Sequence, residues 1–357
     1  MTTAVDEMHL QLTPSAAATP SRVSQLFRQS LRNGQMHPML HLLRLHRADQ
    51  TPLLGLASAK AADTIAAAGS SAAAPRALID AARMSEHVAE LPAMPQAVTQ
   101  ALAAVASEGA SLEDCALHIE HDQALAAQTL KLANSAFFGV AGRVGSIQDA
   151  ISILGLRTLT MLLTAAAVSA RFGGTTCSGF ETAVFWRHSV ATGLAARAIA
   201  GQVGLDPAQC FIAGLLHDIG RLALAVHQPH EVSIMLAWAQ QADVALLDAE
   251  RAVLGLDHVE IGVAIVRRWN FPAAVVEAIA GHHAPAASTK PGVADVVHAA
   301  DAMVHALDLA GGVHEYVPAV DAPSWLRLGL KQAQALAVLT EVEVGVDDIC
   351  RLLGFNA

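Results

Sequence analysis

The stretch "FIAGLLHDIGRLAL", Phe211–Leu224, sets a histidine and an aspartate side by side in a run of apolar residues. The apolar residues on both sides of His217 and Asp218 predict one buried helix, within a helical segment over Asp206–His227. A buried carboxylate costs several kcal/mol unless it is paired or bound to a metal ion. The rest of the chain should therefore supply partners for His217 and Asp218.

The composition of the chain favours closely packed helices. Of its 357 residues, 53% are hydrophobic and 4% are aromatic, which is ample for a core, so most of the chain should fold. Alanine is abundant, and it favours helices that pack through small side chains. Valine and isoleucine rarely alternate with polar residues as they would in strands. The composition therefore predicts an all-α protein.

The charge and the cysteines restrict the function classes. A formal net charge of −10 argues against DNA binding by the core. The four cysteines are far apart and indicate neither a disulfide framework nor a zinc ribbon. The start of the sequence lacks a basic segment followed by an apolar core, and no uncharged run reaches the length of a membrane span. We therefore expect a cytoplasmic protein without a membrane span.

The chain divides into an extension, two helical halves and a C-terminal segment. Residues 1–83 are low in complexity and partly basic, and we expect a mostly disordered extension and linker with loosely docked amphipathic pieces. Residues 84–172 carry amphipathic patterns with capping residues such as Ser146, which predict short packed helices. The glycine-rich "FGGTTCSG" separates them from a second helical half over residues 180–310. Residues 311–357 form an amphipathic helical segment that should pack on the core.

Histidines and aspartates of the second half are candidate metal ligands. The chain holds 17 histidines, and several lie on or beside apolar helices. Imidazole nitrogen and carboxylate oxygen together suit iron, manganese, zinc or nickel. Because one carboxylate can bridge two ions, Asp218 could serve a centre of one or two divalent ions. The candidate ligands are His188, His217, Asp218, His258, His282, His283 and Asp301.

A pair of metal ions would make the site suitable for hydrolysis of a phosphate ester. Two ions about 3.5–4 Å apart can clamp a phosphate group and make a nucleophile from water. Arg221 lies one helical turn after Asp218 and could contact a phosphoryl oxygen with two hydrogen bonds. It could also simply pair with an acid such as Glu250.

Plainer roles remain open for the same side chains. The histidines that we assign to ordinary core or surface positions are His227, His230, His298 and His305. Asp301 could hydrogen-bond a histidine on its own helix, and His282 and His283 could lie in a solvated loop. Spacing alone leaves a metal site and these roles open, because ligands far apart in sequence meet only through the fold.

The order of these motifs resembles the HD superfamily of metal-dependent phosphohydrolases and, within it, the HDOD domain. The first half contains "IEHDQALAAQTLKLANSAFFG" and "SIQDAISILGLRTL", and the second contains "FWRHSVATGLAARAIA", "AGLLHDIGRLAL", "LGLDHVEIG" and "GHHAP". The likeness spans about Met84 to Leu309. It implies an HDOD-type helical domain in which the seven candidate ligands match positions where HD relatives hold metal.

The resemblance implies a bacterial regulatory or signalling module. The related HD-GYP phosphodiesterases hydrolyse cyclic di-GMP at a two- or three-metal site and carry a Gly-Tyr-Pro loop after their paired histidines. Here "GHHAPAASTKPG" contains no Gly-Tyr-Pro, and Arg221 takes the place of a lysine that is usual in that family. Both departures weigh against hydrolysis of cyclic di-GMP.

Three functions are compatible with these residues. The preferred one is a signalling module that binds a partner protein, with any metal structural or vestigial. The second is an active metal-dependent phosphohydrolase of the phosphodiesterase type, in which Arg221 would contact the phosphate. The third is a sensor that binds a phosphorylated nucleotide without cleaving it. Metal content and turnover separate the three.

Overall fold

The structure is a computed structural model that describes residues 22–32, 37–47, 73–76, 78–106, 112–134, 144–172, 174–309 and 316–355. The regular elements of these residues are helices, and no strand is present among them. The predicted all-α class is confirmed. The other parts of the expected extension, residues 1–21, 33–36, 48–72 and 77, lie outside the described residues.

Three short helices of the N-terminal extension pack against the core. They are α1 (Arg22–Leu26), α2 (Arg28–Arg32) and α3 (Pro38–His46). Proline suits the first turn of α3 because its missing N–H needs no partner there. The side chain of His37 caps this helix, since its Nδ1 accepts a hydrogen bond from the Met39 N–H at 3.2 Å. The apolar side chains that anchor the segment are Leu26, Phe27, Met39 and Leu43.

The first helical half follows α4 (Ala81–Glu90) and packs around an apolar core. Its helices are α5 (Gln96–Ala106), α6 (Leu112–Glu120), α7 (Gln123–Ala133), α8 (Ile147–Leu154) and α9 (Leu156–Ser169). Ser146 begins α8, because its Oγ accepts a hydrogen bond from the Asp149 N–H at 3.0 Å. Gly155 has a φ of +75°, which lets α8 and α9 meet at 110°.

The second helical half surrounds one long central helix. Its helices are α10 (Thr182–Val203), α11 (Pro207–Leu216), α12 (Ile219–His227), α13 (Pro229–Ala242), α14 (Leu246–Ala249), α15 (His258–Arg268), α16 (Ala273–Gly281) and α17 (Val293–Leu307). A π-helix, Glu250–Leu254, follows α14. The C-terminal helices are α18 (Ala322–Leu328) and α19 (Gln332–Leu353). Helix α10 is buried along most of its length because α11, α17 and α19 pack against it.

Small residues set the distance between α10 and α11. A Cβ on Gly214 would lie 2.8 Å from the Thr192 carbonyl oxygen, and a Cβ on Gly193 would lie 3.0 Å from the Phe211 carbonyl oxygen. Both distances are closer than side-chain carbons normally approach a backbone oxygen. The two helices therefore touch through their backbones, and this contact fixes where the end of α11 lies.

The described residues contain one stretch that is long and apolar enough to cross a membrane by length and composition. It is Pro207–His227, which corresponds to α11 and α12, and 83% of its apolar window is buried inside the fold. Helices α8 and α9 pass the same test only as one bent pair. A core helix also passes it, so these features are weak evidence for a span.

Candidate metal centre

The predicted helical segment over Asp206–His227 is present, but its regular helix is interrupted by a turn at His217 and Asp218. Helix α11 ends at Leu216 and α12 begins at Ile219, so both polar residues lie in the turn. His217 is 1% exposed and Asp218 is 4% exposed. The turn thus delivers an imidazole and a carboxylate to the interior together. Asp218 also precedes the first turn of α12, where N–H groups favour a negative charge.

Gly220 brings α12 against α15. A Cβ at this position would overlap the carbonyl oxygen of His258 and would lie 2.8 Å from the Gly262 nitrogen. The first turns of α12 and α15 can touch only because this residue has no side chain. The contact places His258, the first residue of α15, beside Asp218, and the His258 Nε2 lies 3.2 Å from Asp218 Oδ1.

Glu250 orients the imidazole of His258. Its Oε2 accepts two hydrogen bonds, from the His258 N–H at 2.9 Å and from His258 Nδ1 at 2.6 Å. Glu250 is 2% exposed and begins the π-helix. A π-turn shifts side chains relative to an α-helix and is frequent at functional sites. A carboxylate behind the ring is a typical support for a metal-ligating histidine.

His282 and His283 follow the last turn of α16. The His282 Nδ1–H donates to the Ile279 carbonyl oxygen at 2.8 Å, so its Nε2 faces the centre. His298, on α17, supports this turn because its Nδ1–H donates to the His282 carbonyl oxygen at 2.7 Å. The His298 Nε2 in turn accepts from the Asp321 N–H at 2.8 Å. His298 is therefore a buried structural residue, as the sequence indicated.

Helices α10 and α17 contribute the other side of the centre. His188 Nε2 lies 3.1 Å from Asp301 Oδ1, and His217 Nε2 lies 3.6 Å from the same oxygen. His305 is one helical turn after Asp301, and its Nε2 lies 3.3 Å from Asp301 Oδ1. Three imidazole nitrogens thus face one oxygen, which accepts no well-directed hydrogen bond from any of them. An oxygen that faces several nitrogens in this way suits a bound cation.

The structure brings all seven candidate ligands together and adds His305. Their ligand atoms form three groups, each within 4.8 Å: Asp218, His258, His282 and His283; His188, His217 and Asp218; and His188, Asp301 and His305. The assignment of His305 to an ordinary core or surface position is therefore wrong, because His305 lies among the candidate ligands. The sequence carried a signal for it, because Asp301 and His305 are four residues apart on one helix face.

The histidine tautomers make the centre suitable for metal. The Nδ1–H groups of His217 and His282 each donate to a backbone carbonyl oxygen, at 2.7 and 2.8 Å, so their Nε2 atoms carry lone pairs when the rings are neutral. The His258 Nε2 lies 3.3 Å from His282 Nε2 and 3.0 Å from His283 Nε2. The His188 Nε2 lies 3.3 Å from His217 Nε2. Facing lone pairs repel each other unless a proton or a cation lies between them.

The charges of the centre divide its histidines into two types. Burial lowers the pKa of His217, but Asp218 and Asp301 more than offset it, so the net pKa is raised. The same balance raises the pKa of His258, where burial opposes Glu250 and Asp218. Burial and neighbouring imidazoles hold the pKa of His282 well below its usual range. The rings thus differ in basicity within one cluster.

The two carboxylates stay ionised. Burial raises the pKa of Asp218, but the histidines around it and Arg221 hold it well below the usual range. Asp301 behaves in the same way because His305, His188 and His217 surround it. The centre therefore presents two negative charges to a cation at neutral pH.

Arg221 binds the carboxylate of the centre. Its Nη1 donates to Asp218 Oδ2 at 2.7 Å, and burial is more than offset by Asp218 and Glu250, which raise the guanidinium pKa. The direct partner is therefore Asp218, while Glu250 accepts from His258. Arg221 is about one quarter exposed and faces a cavity beside the centre.

A cavity of about 670 Å³ opens directly onto the candidate ligands. Its floor is made of ligand side chains, which are His188, Asp218, His258, His283, Asp301 and His305. Arg221 and Tyr316 bring donor groups to the same space, and Phe180 and Phe185 bring apolar surface. This volume lies within the range of about 300–1,000 Å³ that is common for small-molecule sites.

The sequence pattern of the HDOD domain family matches residues 91–285, which is more than half of the chain. Among curated proteins, a ribonuclease Y from Thermus thermophilus is 33% identical over 163 residues, which are 44% of this chain and 24% of that protein. The chain spans only 24% to 39% of the length of the first curated relatives that it matches. The match is therefore to one domain of longer proteins.

Two solved structures resemble the fold. A candidate phosphohydrolase from Shewanella amazonensis SB2B is 26% identical, with a TM-score of 0.53, and the match covers 73% of this chain and 98% of that one. An HDOD domain protein of unknown function from Geobacter sulfurreducens is 22% identical, with a TM-score of 0.61, and the match covers 77% and 98%. The second likeness concerns the fold alone.

Proposed function

Because the chain belongs to the HDOD domain family, we propose that it is a regulatory HDOD protein whose second helical half is an active metal-dependent phosphohydrolase. The observation that carries this proposal is the set of imidazole Nε2 atoms that face one another. His217 and His282 direct their Nδ1–H groups to backbone carbonyls and His258 directs its own to Glu250. Their remaining nitrogens are thereby held ready for a cation.

The donor set fits one or two divalent ions. One ion would be held by His188, His217, Asp218 and Asp301, and the other by Asp218, His258, His282 and His283, with His305 beside Asp301. Nitrogen donors mixed with carboxylate oxygens favour iron, manganese, zinc or nickel over magnesium or calcium. When bound, such ions act as Lewis acids toward a phosphoryl oxygen and lower the pKa of water.

The chain's own residues would orient the phosphoester. Arg221 faces the cavity from the same side as Asp218, and a guanidinium can bind a carboxylate and a phosphoryl oxygen through different N–H groups. Burial and His258 lower the pKa of His283 to about 4, so its imidazole is neutral at neutral pH. The apolar wall made by Phe180 and Phe185 would exclude water from the bound ester.

Metal content and turnover of the full chain test the proposal. We expect close to one or two equivalents of Fe, Mn, Zn or Ni, and metal-dependent hydrolysis of bis(p-nitrophenyl) phosphate. Asp218→Ala should lose the metal and at least about 1,000-fold in turnover. His121→Ala, at an exposed histidine of the first half, is the matched control and should retain both. A folded protein that takes up no metal from any of the four salts contradicts the proposal.

Binding without hydrolysis is a second candidate function. It is supported by Arg221, whose guanidinium can hold a phosphoryl oxygen beside Asp218 whether or not the ester is cleaved. A sequence without a Gly-Tyr-Pro loop after His282 and His283 points the same way. In that case a phosphorylated nucleotide would raise the melting temperature without forming product. The signal would then pass to a partner protein, as in the regulatory hypothesis.

A further inference from the structure

Two segments outside the matched family region line the ligand cavity. Gln25 and Arg28 come from the N-terminal helices α1 and α2, and Tyr316 and Pro318 precede α18. All four positions lie outside residues 91–285. Four of the six floor residues, all but Asp301 and His305, lie within the matched region, and the rest of the cavity is completed by chain that the family pattern does not include.

Arg28 joins this added wall to the domain. Its Nε donates to Asp243 Oδ1 at 2.6 Å, and its Nη1 donates to the Gln25 carbonyl oxygen at 2.8 Å. The guanidinium carbon lies 5.8 Å from the centre of the Tyr316 ring, within range of a cation–π contact. Asp243 ends α13 and also lines the cavity, so the ion pair itself is part of the wall.

Helix α1 is tied to the helix that carries two candidate ligands. Arg22 donates from Nε and Nη2 to the two carboxylate oxygens of Asp308, at 2.7 and 2.6 Å. Asp308 ends α17, which holds Asp301 and His305. Two parallel hydrogen bonds between guanidinium and carboxylate fix orientation as well as distance.

Backbone and apolar contacts, in addition to the two ion pairs, hold α1 and α2 against the rest of the protein. The Val317 N–H donates to the Leu26 carbonyl oxygen at 2.7 Å, which joins the two added segments to each other. The side chains of Leu26 and Phe27 are 2% and 1% exposed. Burial of these two apolar side chains stabilises the docking of the segment on the core. Helices α1 and α2 are therefore held on the domain by these contacts and form one wall of the cavity.

We propose that α1 and α2 restrict the site to a small phosphorylated molecule and exclude the interior of a nucleic-acid chain. This inference rests on the proposed function and adds the size of the ligand to it. The cavity of about 670 Å³ suits a ligand of nucleotide size. A polymer needs an open groove along which its backbone can continue. Arg28 and Asp243 both line the cavity, and their ion pair joins α2 to the end of α13 there.

Breaking the Arg28–Asp243 pair in the full, metal-loaded chain tests the wall. Arg28→Glu sets two carboxylates against each other, and the combined Arg28→Glu and Asp243→Arg variant restores an ion pair of reversed polarity. Arg44→Glu changes the charge of the same extension at an exposed position of α3 and is the matched control. Arg28→Gln is a milder second variant. Turnover and binding are measured with bis(p-nitrophenyl) phosphate, a fluorescent mononucleotide and a labelled decameric RNA.

We expect the unchanged chain to act on the small diester and bind the mononucleotide, and to bind and cleave RNA poorly. Arg28→Glu should raise the ratio of RNA to small-diester turnover by about tenfold or more, and the reversed pair should restore the original ratio. Arg44→Glu should leave the ratio unchanged. Because a damaged fold loses both activities, a gain with RNA identifies the wall.

The outcomes separate the wall from the proposed function. Cleavage of RNA as fast as the diester by the unchanged chain, or an unchanged ratio in Arg28→Glu and Arg28→Gln, overturns the wall and leaves the hydrolase standing. Selective binding of the mononucleotide without turnover, with RNA binding gained in Arg28→Glu, supports the wall and overturns hydrolysis. A chain that binds and cleaves none of the three probes overturns both.

Discussion

The two helical halves are both built from α-helices, but they bury different kinds of side chain. Among the described residues of α5–α9, the buried polar side chains are threonines only, Thr129, Thr160 and Thr164, and the rest of the core is apolar. In α10–α17 the core instead includes imidazoles and carboxylates, with His217 and Asp218 at its centre. The core of the first half is therefore mainly apolar, whereas the second half buries charged groups that form the candidate site.

The two halves gain and lose stability through different groups. Carboxylates such as Asp218 and Asp301 are costly to bury, and pairing with other charges seldom offsets the full desolvation cost. The second half therefore relies on close backbone contacts, and under the proposed function on a bound cation, in a way that the first half does not.

Gly220→Ala should damage the second half most. The added Cβ would overlap the His258 carbonyl oxygen, and neither α12 nor α15 can move away without displacing Asp218 or His258. We expect a loss of about 3 kcal/mol or more in the free energy of unfolding, together with loss of bound metal. Denaturant titration and metal analysis measure the two effects.

The matched control for Gly220 is Gly201→Ala. Gly201 lies in α10, and a Cβ there would meet no atom within 4 Å. Alanine should therefore raise the free energy of unfolding by up to about 1 kcal/mol through helix propensity. If both variants behave alike, the close contact of α12 with α15 is not what positions the centre.

Leu132→Ala should destabilise the first half without touching the centre. Leu132 lies in α7 and is 0% exposed, so its loss leaves a cavity. We expect a cost of about 2–5 kcal/mol, while metal per folded molecule stays the same. Metal loss in a folded Leu132→Ala protein would mean that the centre depends on the packing of the first half, and the comparison would fail.

Much of this difference between the two halves could be predicted from the sequence. The apolar periodicity indicated helices throughout, and the quoted motifs identified seven residues that the fold brings together. Those motifs carry information because they place polar ligands in or beside apolar helices, where an isolated buried charge would be unfavourable. The N-cap of α8 was also predictable from the sequence, since Ser146 caps this helix as expected.

Other features depend on distances that no local pattern encodes. The turn at His217 and Asp218 interrupts an apolar run whose pattern predicts one continuous helix. Glu250 reaches His258 from a π-helix, whose irregular spacing has no periodic signal. The docking of Arg28 on Asp243 joins residues 215 positions apart. Such contacts arise from tertiary structure alone.

Removing metal should loosen one half selectively. A ligand that binds only the folded state adds about 2.7 kcal/mol of stability when its concentration is 100 times its Kd. Chelation should therefore lower the melting temperature and increase amide exchange in α10–α17, with little change in α6–α9. Hydrogen-exchange mass spectrometry with and without chelator measures both regions in one sample. An equal loss of protection in α6–α9 would show that the two halves unfold as one unit.

Asn134→Ala should have the smallest effect and stay within the first half. The Asn134 side chain ends α7 by donating to the Leu130 and Val144 carbonyl oxygens, at 3.0 and 2.8 Å, and by accepting from the Val144 N–H at 3.0 Å. Loss of these bonds should cost about 1–2 kcal/mol, because the Val144 backbone groups regain only part of their hydrogen bonding from water. Denaturant titration measures this cost against Gln123→Ala, at an exposed position of the same helix, which should change stability by less than about 0.5 kcal/mol.

The metal content of Asn134→Ala decides what this clamp does for the whole molecule. Every partner of the Asn134 side chain belongs to the first half, so the centre should bind metal as in the unchanged chain. If metal affinity instead falls by tenfold or more in the folded variant, Asn134 also fixes how the two halves meet. The first half would then position the site as well as support it.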